Sequence, residues 1–135
     1  MSEFVDTNIL IYAHDGGAGK KHHQAADLLI RLAAEDEGCL SSQVLIEFYS
    51  VATRKLNRPS DEVEAAVNGF WSWQLHSPSF EDLLAAISTQ RRYRISWWDA
   101  LIVNSAIQLE CEVLWSEDLS NGQRFGSLTV RNPFV

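Results

Sequence analysis

Short apolar runs alternate with amphipathic segments along the chain, and this alternation restricts the possible folds more than any other feature of the sequence. The intervening segments carry apolar residues at helical spacing. Strands that alternate with helices form a parallel sheet covered by helices on both faces. The pattern therefore predicts an α/β fold. The runs interpreted as strands are residues 3–6, 39–41, 73–76, 111–116 and 127–130.

Serine residues mark the starts of several predicted helices, because a serine hydroxyl can accept a hydrogen bond from the first helical turn. The candidate caps are Ser42, Ser60, Ser79 and Ser96. The last two are each followed three residues later by an acid, Asp82 and Asp99, an arrangement typical of a capping box. The predicted helices are a short one from about residue 8 and longer ones at about 22–34, 43–55, 60–70, 80–91 and 97–108.

The length and composition are those of one domain. A chain of 135 residues with 46% hydrophobic residues can bury a sizeable core. No apolar run is long enough to span a bilayer, and no basic flank leads into a signal-like apolar segment at the N-terminus. We therefore expect residues 1–135 to form a single cytoplasmic domain that does not associate with membranes.

The two cysteines of the chain, Cys39 and Cys111, stand far apart and in no spacing typical of a metal site. In a reducing compartment, cysteines of this kind are more often small buried residues than a disulfide framework. We interpret both as buried apolar residues without a chemical role.

The net charge of −7 argues against a nucleic-acid partner, because phosphate binding depends on Lys and Arg. The basic residues are clustered, however, and a local positive potential can outweigh the total charge. Each cluster is explained equally well as a solvated helix end. The clusters are Lys20-Lys21, Arg54-Lys55 with Arg58, and Arg91-Arg92 with Arg94.

Asp6 ends the first predicted strand and precedes another apolar run, an unusual place for an ionisable residue. One interpretation is a helix cap, which satisfies backbone N–H groups of the next helix. The other is a functional carboxylate, because the carboxyl ends of parallel strands form the ligand-binding crevice of open α/β sheets. The second interpretation predicts further acids that converge on the same point.

Glu47 is the first such acid. Val44 and Val51 lie at i−3 and i+4 from it, so its side chain shares the apolar face of the predicted helix. A carboxylate turned toward a core is unfavourable unless a cation or several donors meet it. The alternatives are a carboxylate that reaches water at the edge of the core, or an ion pair with Arg54 or Arg124.

Asp99 raises the same question, because Ile102 and Val103 lie on its face of the helix. It could be a structural cap together with Ser96, and a residue in the first turn can also point into the crevice. Asp118 follows an apolar strand and Ser116, in a position that resembles that of Asp6. Read alone, Asp118 is a turn residue. Taken together, the acids predict a metal site made of hard oxygen ligands.

Five segments of the chain carry a resemblance to a known family. They are VDTNILIYA, SSQVLIEF, SWWDALIVNSA, SEDL and VRNPF. In order and spacing they resemble the PIN-domain ribonucleases, most closely the VapC-type toxins of prokaryotic toxin–antitoxin modules, over nearly the whole chain. The resemblance implies a single three-layer α/β/α PIN-like nuclease domain, with a central, mostly parallel sheet of four to five strands.

The resemblance also implies an activity, which is hydrolysis of RNA phosphodiesters by an endoribonuclease that uses Mg²⁺ or Mn²⁺. It assigns the catalytic and metal-binding roles to Asp6, Glu47, Asp99 and Asp118, with Asn8 and Ser116 as supporting polar neighbours. The candidate RNA-binding residues are Lys20, Lys21, Arg54, Arg91 and Arg92. It further implies a cognate antitoxin protein and a homodimer, with Trp71 and Trp73 as candidates for the partner surface.

Position 120 departs from the family pattern. Many relatives carry a further aspartate two positions after the one that matches Asp118, whereas this chain has Ser120. A second metal position is therefore expected to be weaker or differently completed. A different class of function also stays open, that of a protein-interaction module that keeps the fold and the acids but has little catalytic activity.

Overall fold

A six-stranded sheet organises the computed structural model, which describes residues 1–135. The strands are β1 (Glu3–Val5), β2 (Gly38–Ser41), β3 (Gln74–His76), β4 (Val113–Trp115), β5 (Arg124–Phe125) and β6 (Leu128–Arg131). Their order across the sheet is β3-β2-β1-β4-β6-β5. All neighbours are parallel except β5 and β6, which pair antiparallel. The α/β fold with a mostly parallel sheet is as predicted.

The sixth strand, β5, is the one that the sequence did not predict. It has two residues, too few for an apolar pattern, and it joins β6 through a turn at Gly126, whose φ is 64°. The five predicted strands agree with the observed ones to within two residues at each end.

The helices fill the segments between the strands. They are α1 (Thr7–Ala13), α2 (Lys20–Glu35), α3 (Ser42–Arg54), α4 (Ser60–Asn68), α5 (Phe80–Tyr93) and α6 (Trp97–Gln108), with a short 3-10 helix at Gly16–Ala18. Helices α1 to α4 form one packed group and α5 packs on α6, and members of both groups contact β2. No helix combines the length and the apolar character that a crossing of the bilayer requires.

The strand β1 lies inside the sheet between β2 and β4, and this position explains its two consecutive apolar residues, Phe4 and Val5. Phe4 and Val5 are fully buried. Interior parallel strands are covered on both faces, so they tolerate apolar residues at consecutive positions. Val5 pairs with Trp115 of β4, which brings the residues that follow the two strands next to each other.

Two of the four predicted helix caps are correct and two are wrong. Ser79 forms the predicted capping box with Asp82, and Ser96 accepts a hydrogen bond from the Asp99 N–H at 3.1 Å. Ser42 is instead the first residue of α3, whose cap is Ser41, because Ser41 has the extended backbone of a cap and accepts from Val44 N–H. Ser60 is likewise inside α4, and the preceding residue, Pro59, offers no side-chain acceptor.

Candidate metal centre

Three carboxylates from distant parts of the chain meet beyond the carboxyl ends of β1 and β4. Asp6 follows β1, Asp99 lies in the first turn of α6, and Asp118 lies in the loop after β4. One oxygen from each lies within 4.8 Å of the others. The parallel pairing of β1 with β4 carries Asp6 and Asp118 to the same edge of the sheet, and the first turn of α6 adds Asp99.

Asp6 is the buried member of the group, with 5% of its surface exposed. Its Oδ1 accepts a hydrogen bond from Thr7 N–H, and its Oδ2 accepts one from the Ser116 hydroxyl, both at 2.7 Å. Burial raises the pKa of Asp6 to about 7 in spite of these two hydrogen bonds, and the charges of Asp118 and Asp99 raise it further. Asp6 therefore caps α1 and also belongs to the acidic group, as both interpretations of the sequence require.

Asp118 is exposed and is held by two polar neighbours. Its Oδ2 accepts a hydrogen bond from Asn8 Nδ2 at 2.8 Å, and its N–H donates to Ser116 Oγ at 3.1 Å. Partial burial raises the pKa of Asp118, and the nearby charges of Asp99 and Glu117 add to this effect. The structure thus places Asn8 and Ser116 against the acids, where each fixes the position of a carboxylate.

Asp99 contributes the least restrained carboxylate. Its backbone N–H donates a hydrogen bond to the Ser96 hydroxyl, whereas its side-chain oxygens accept no hydrogen bond from any group of the protein. Such an oxygen is available to an external cation or donor.

Glu47, on α3, is not one of the acids whose oxygens lie within 4.8 Å of one another, so the structure brings together three of the four predicted acids. It is half-buried, and its Oε1 accepts a hydrogen bond from Gln43 Nε2 at 2.8 Å. Burial raises the pKa of Glu47, and the charges of Asp99 and Asp118 raise it further, so the carboxylate lies in the field of the group. No arginine pairs with Glu47, which removes the ion pair with Arg54 or Arg124 as the explanation of its position.

Glu117 is a part of this region that the sequence did not indicate. Its carboxylate accepts hydrogen bonds from the Tyr12 hydroxyl at 3.0 Å and from Lys21 Nζ at 2.7 Å. The Lys21 ammonium also lies over the rings of Tyr12 and Phe134, 5.0 and 5.2 Å from their centroids. The sequence did not single out Glu117, because acids in loops are common. Only the fold shows that the side chains of Tyr12 and Lys21 reach its carboxylate.

The candidate RNA-binding residues make no direct contact with the acids of the group. Lys21 is engaged by Glu117 next to Asp118. The other four are exposed and make no hydrogen bond or ion pair with the acidic group, and they are Lys20, Arg54, Arg91 and Arg92.

The donor set suits a hard divalent cation. Three carboxylates that converge within 4.8 Å repel one another, and a divalent ion that accepts oxygen ligands would relieve that repulsion. Burial is the main cause of the raised pKa of Asp6, and the same repulsion adds to it. Asp6, Asp99 and Asp118 could hold such an ion, with Glu47 at the side. Ser120 is exposed and brings no fourth aspartate to the group.

Solved structures with the same fold come from toxin–antitoxin systems. A toxin–antitoxin complex from Klebsiella pneumoniae has a TM-score of 0.73 at 19% identity, over 98% of each chain. The toxin VapC20 of Mycobacterium tuberculosis, described as cleaving the sarcin–ricin loop, has a TM-score of 0.70 at 20% identity, over 87% of this chain and 90% of that one. VapBC2 from Rickettsia felis, bound to promoter DNA, has a TM-score of 0.67 at 20% identity, over 98% of each chain.

The sequence itself gives the family. No curated protein matches it significantly. The model of the PIN domain family matches residues 4–120, a range that contains Asp6, Asp99 and Asp118 and most of the chain. On this match, the chain belongs to the PIN domain family.

Proposed function

We propose that this chain is a metal-dependent endoribonuclease that hydrolyses RNA phosphodiesters and acts as the toxin of a toxin–antitoxin module. Residues 1–135 would form the single nuclease domain, working in the cytoplasm with Mg²⁺ or Mn²⁺. The observation that carries the proposal is the convergence of Asp6, Asp99 and Asp118 within 4.8 Å, next to Glu47.

The acidic residues have distinct parts in the proposed reaction. A divalent ion bound there would supply charge stabilisation for the phosphoryl oxygens and an activated water. Asp6, Asp99 and Asp118 would provide the oxygen ligands, and Ser116 and Asn8 orient two of these carboxylates. Glu47 accepts a hydrogen bond through Oε1 only, so its Oε2 is free to orient a water molecule or to take a proton.

The substrate class follows from the family rather than from the charge of the chain. The exposed basic residues Lys20, Arg54, Arg91 and Arg92 would contact the RNA backbone outside the acidic group. Lys21 is a weaker candidate, because Glu117 already engages its ammonium group. Sequencing of the RNA ends after brief expression would identify the RNA and the position of the cut.

A cognate antitoxin and a second copy of the chain are the proposed partners. Several structural neighbours were solved as toxin–antitoxin complexes. Exposed apolar side chains on α3, α5 and the segment after α4 offer contact surface, and they include Ile46, Tyr49, Phe80, Leu84 and Trp71. Trp73 is a weaker candidate, because its ring packs on Phe70 and against Gly38.

The test is cleavage of RNA by the purified protein with Mg²⁺, with EDTA, and with the Asp6→Asn variant. We expect fragments only for the wild-type protein with metal, and 5′-phosphate ends on the products. Asp36→Asn, on an exposed residue at the end of α2, is the matched control and should cleave normally. Cleavage that survives EDTA would contradict the metal mechanism. A folded wild-type protein without cleavage activity would favour the alternative, a protein-interaction module.

A further inference from the structure

The loop that carries Asp118 is held in place by side chains alone. Its residues Glu117, Asp118 and Leu119 take part in no hydrogen bond between backbone groups. Leu119 is buried in the core, and the buried Ser116, which precedes the loop, accepts a hydrogen bond from the Asp118 N–H. A loop without backbone pairing takes its shape from such contacts, so each of them affects where the Asp118 carboxylate lies.

One face of the helix α1 holds two consecutive residues of this loop. Asn8 donates a hydrogen bond to Asp118 at 2.8 Å. Tyr12 lies one turn further along the same face, and its hydroxyl donates to Glu117 at 3.0 Å. Asp118 belongs to the acidic group and Glu117 does not. The contact through Tyr12 therefore fixes the residue next to a candidate metal ligand.

Lys21 also holds Glu117, from a position that is otherwise unfavourable for a cation. It lies in the first turn of α2, where the helix dipole is positive, and no acid stands in that turn. Its Nζ donates to Glu117 Oε2 at 2.7 Å and lies over the rings of Tyr12 and Phe134. The ammonium group thus has its counter-charge in the loop rather than in its own helix. The side chain of Lys20, in the same turn, makes no hydrogen bond or ion pair.

We propose that Lys21 is a positioning residue for Asp118. It acts through Glu117, which it fixes together with Tyr12, and the loop then presents Asp118 to the other two aspartates of the acidic group. This role takes the place of the RNA contact that the sequence predicted for Lys21. Its consequence for metal affinity rests on the proposed metal-dependent function, whereas its effect on the loop does not.

The charge of Lys21 and its positioning contact have opposite effects on cation binding, so the two can be separated. Removal of a positive charge near the acids strengthens the attraction of a divalent cation. Loss of the contact with Glu117 lets the loop adopt other arrangements, and the apparent affinity falls with the fraction that is competent to bind. Lys20→Met and Lys21→Met each remove one positive charge from the same helical turn, but only the second breaks this contact. The difference between the two variants therefore measures the contact.

Isothermal titration with Mn²⁺ at neutral pH measures the effect on affinity. Lys21→Met should bind about tenfold more weakly than the wild-type protein, as expected for a residue that orients a metal ligand from outside. Lys20→Met should bind at least as tightly as the wild-type protein. Lys21→Arg should restore the affinity, because a guanidinium group can donate to Glu117 and stack on the same rings. Tyr12→Phe removes the other donor without a change of charge, and it should also weaken binding.

A second measurement follows the loop in the absence of metal. The Asp118 N–H is protected from exchange with solvent by its hydrogen bond to Ser116, and NMR in EDTA measures the rate of this exchange. The exchange should be faster in Lys21→Met than in the wild-type protein and unchanged in Lys20→Met. Circular dichroism verifies that each variant is folded, and Tyr12→Phe provides the same two measurements if Lys21→Met does not fold.

Exchange of the Asp118 N–H at the wild-type rate in Lys21→Met overturns the inference, and so does a Mn²⁺ affinity equal to that of Lys20→Met. A lysine that contacts RNA instead would give both of these results, together with weaker RNA binding. If the wild-type protein binds no Mn²⁺, the proposed function fails, and the exchange of the Asp118 N–H alone then decides the inference.

Discussion

The hydroxyl of Ser116 lies 2.7 Å from Asp6 Oδ2, although 110 residues separate the two along the chain. The pairing of β1 with β4 produces this contact, because each residue directly follows its strand. Ser116 Oγ also accepts a hydrogen bond from the N–H of Asp118 at 3.1 Å, so one side chain connects two of the acids. Outer residues that orient metal ligands in this way commonly affect metal affinity as much as activity.

Replacement of Ser116 by alanine should weaken metal binding by about 10–100-fold at neutral pH. The hydrogen bond from Ser116 lowers the pKa of Asp6, so its loss lets Asp6 keep a proton at higher pH and compete with the cation. Isothermal titration with Mn²⁺ measures the effect. Ser120→Ala, in the same loop but exposed, should bind like the wild-type protein. Equal affinities for the two variants would show that Ser116 does not position the site.

The ionisation of Asp6 should make the metal-free protein less stable at high pH. The pKa of Asp6 is raised from its ordinary value of 3.8 to about 7, so the folded state binds more protons than the unfolded state between these values. The free energy of unfolding therefore falls as the pH rises through this interval. Asp6→Asn removes the ionisable group, so it should be more stable than the wild-type protein above pH 7, by up to about 4 kcal/mol, and nearly equal to it near pH 4.

Urea unfolding in EDTA at several pH values measures this difference. Asp27→Asn, on the exposed side of α2, is the control and should show no such pH dependence. A difference between Asp6→Asn and the wild-type protein that is the same at pH 4 and pH 8 would contradict the raised pKa.

A divalent cation should raise the melting temperature through Asp99. A ligand that binds only the folded state stabilises it by about 2.7 kcal/mol at a concentration 100 times its Kd. The Asp99 carboxylate accepts no hydrogen bond within the protein, so Asp99→Asn should fold normally and lose most of the shift. The shift should also shrink below the pKa of Asp6, about 7, because the cation must displace its proton. Thermal melts with Mg²⁺ or Mn²⁺ at pH 6 and pH 8 measure both effects. A full shift in Asp99→Asn would exclude Asp99 as a ligand.

Local patterns predicted the elements of this fold, and contacts between distant segments set the limit of that prediction. The capping box of Ser79 and Asp82 could be predicted from the sequence because its partners are three residues apart. The short strand β5 could not be predicted, because it exists only through its pairing with β6. The sequence also did not predict that Ser41 caps α3. Ser41 and Ser42 are adjacent and have the same side chain, and only the extended backbone of Ser41 distinguishes it as the cap.

In the candidate site, too, some residues could be placed from the sequence and others depend on contacts between distant segments. Asp6 and Asp118 could be placed from the sequence because each follows an apolar strand, and parallel strands bring their carboxyl ends to one edge. The hydrogen bonds that Tyr12 and Lys21 donate to Glu117 depend on how α1 and α2 pack beside the loop after β4. No pattern within one segment contains that information.

Loss of the Asp82 carboxylate should destabilise the protein without touching the acidic site. Its Oδ2 accepts hydrogen bonds from Ser79 and His76, and its Oδ1 accepts one from Asn104, so it joins α5 to β3 and α6. The Ser79 N–H, followed by other donors, holds the pKa of Asp82 below its usual range. This contribution to stability is present above the ordinary pKa and disappears as the pH falls through the lowered value.

Asp82→Ala should therefore lower the free energy of unfolding at pH 7 by about 1–3 kcal/mol, because a helix cap and a buried hydrogen-bonded charge are both lost. The difference from the wild-type protein should narrow in acid, below the lowered pKa of Asp82. Glu81→Ala, at the neighbouring exposed position of α5, is the control and should change stability by less than about 0.5 kcal/mol. Urea unfolding followed by circular dichroism measures both variants, and Mn²⁺ affinity should be unchanged in each. Similar stabilities of the two variants at pH 7 would mean that the junction formed by His76, Ser79 and Asn104 does not depend on Asp82.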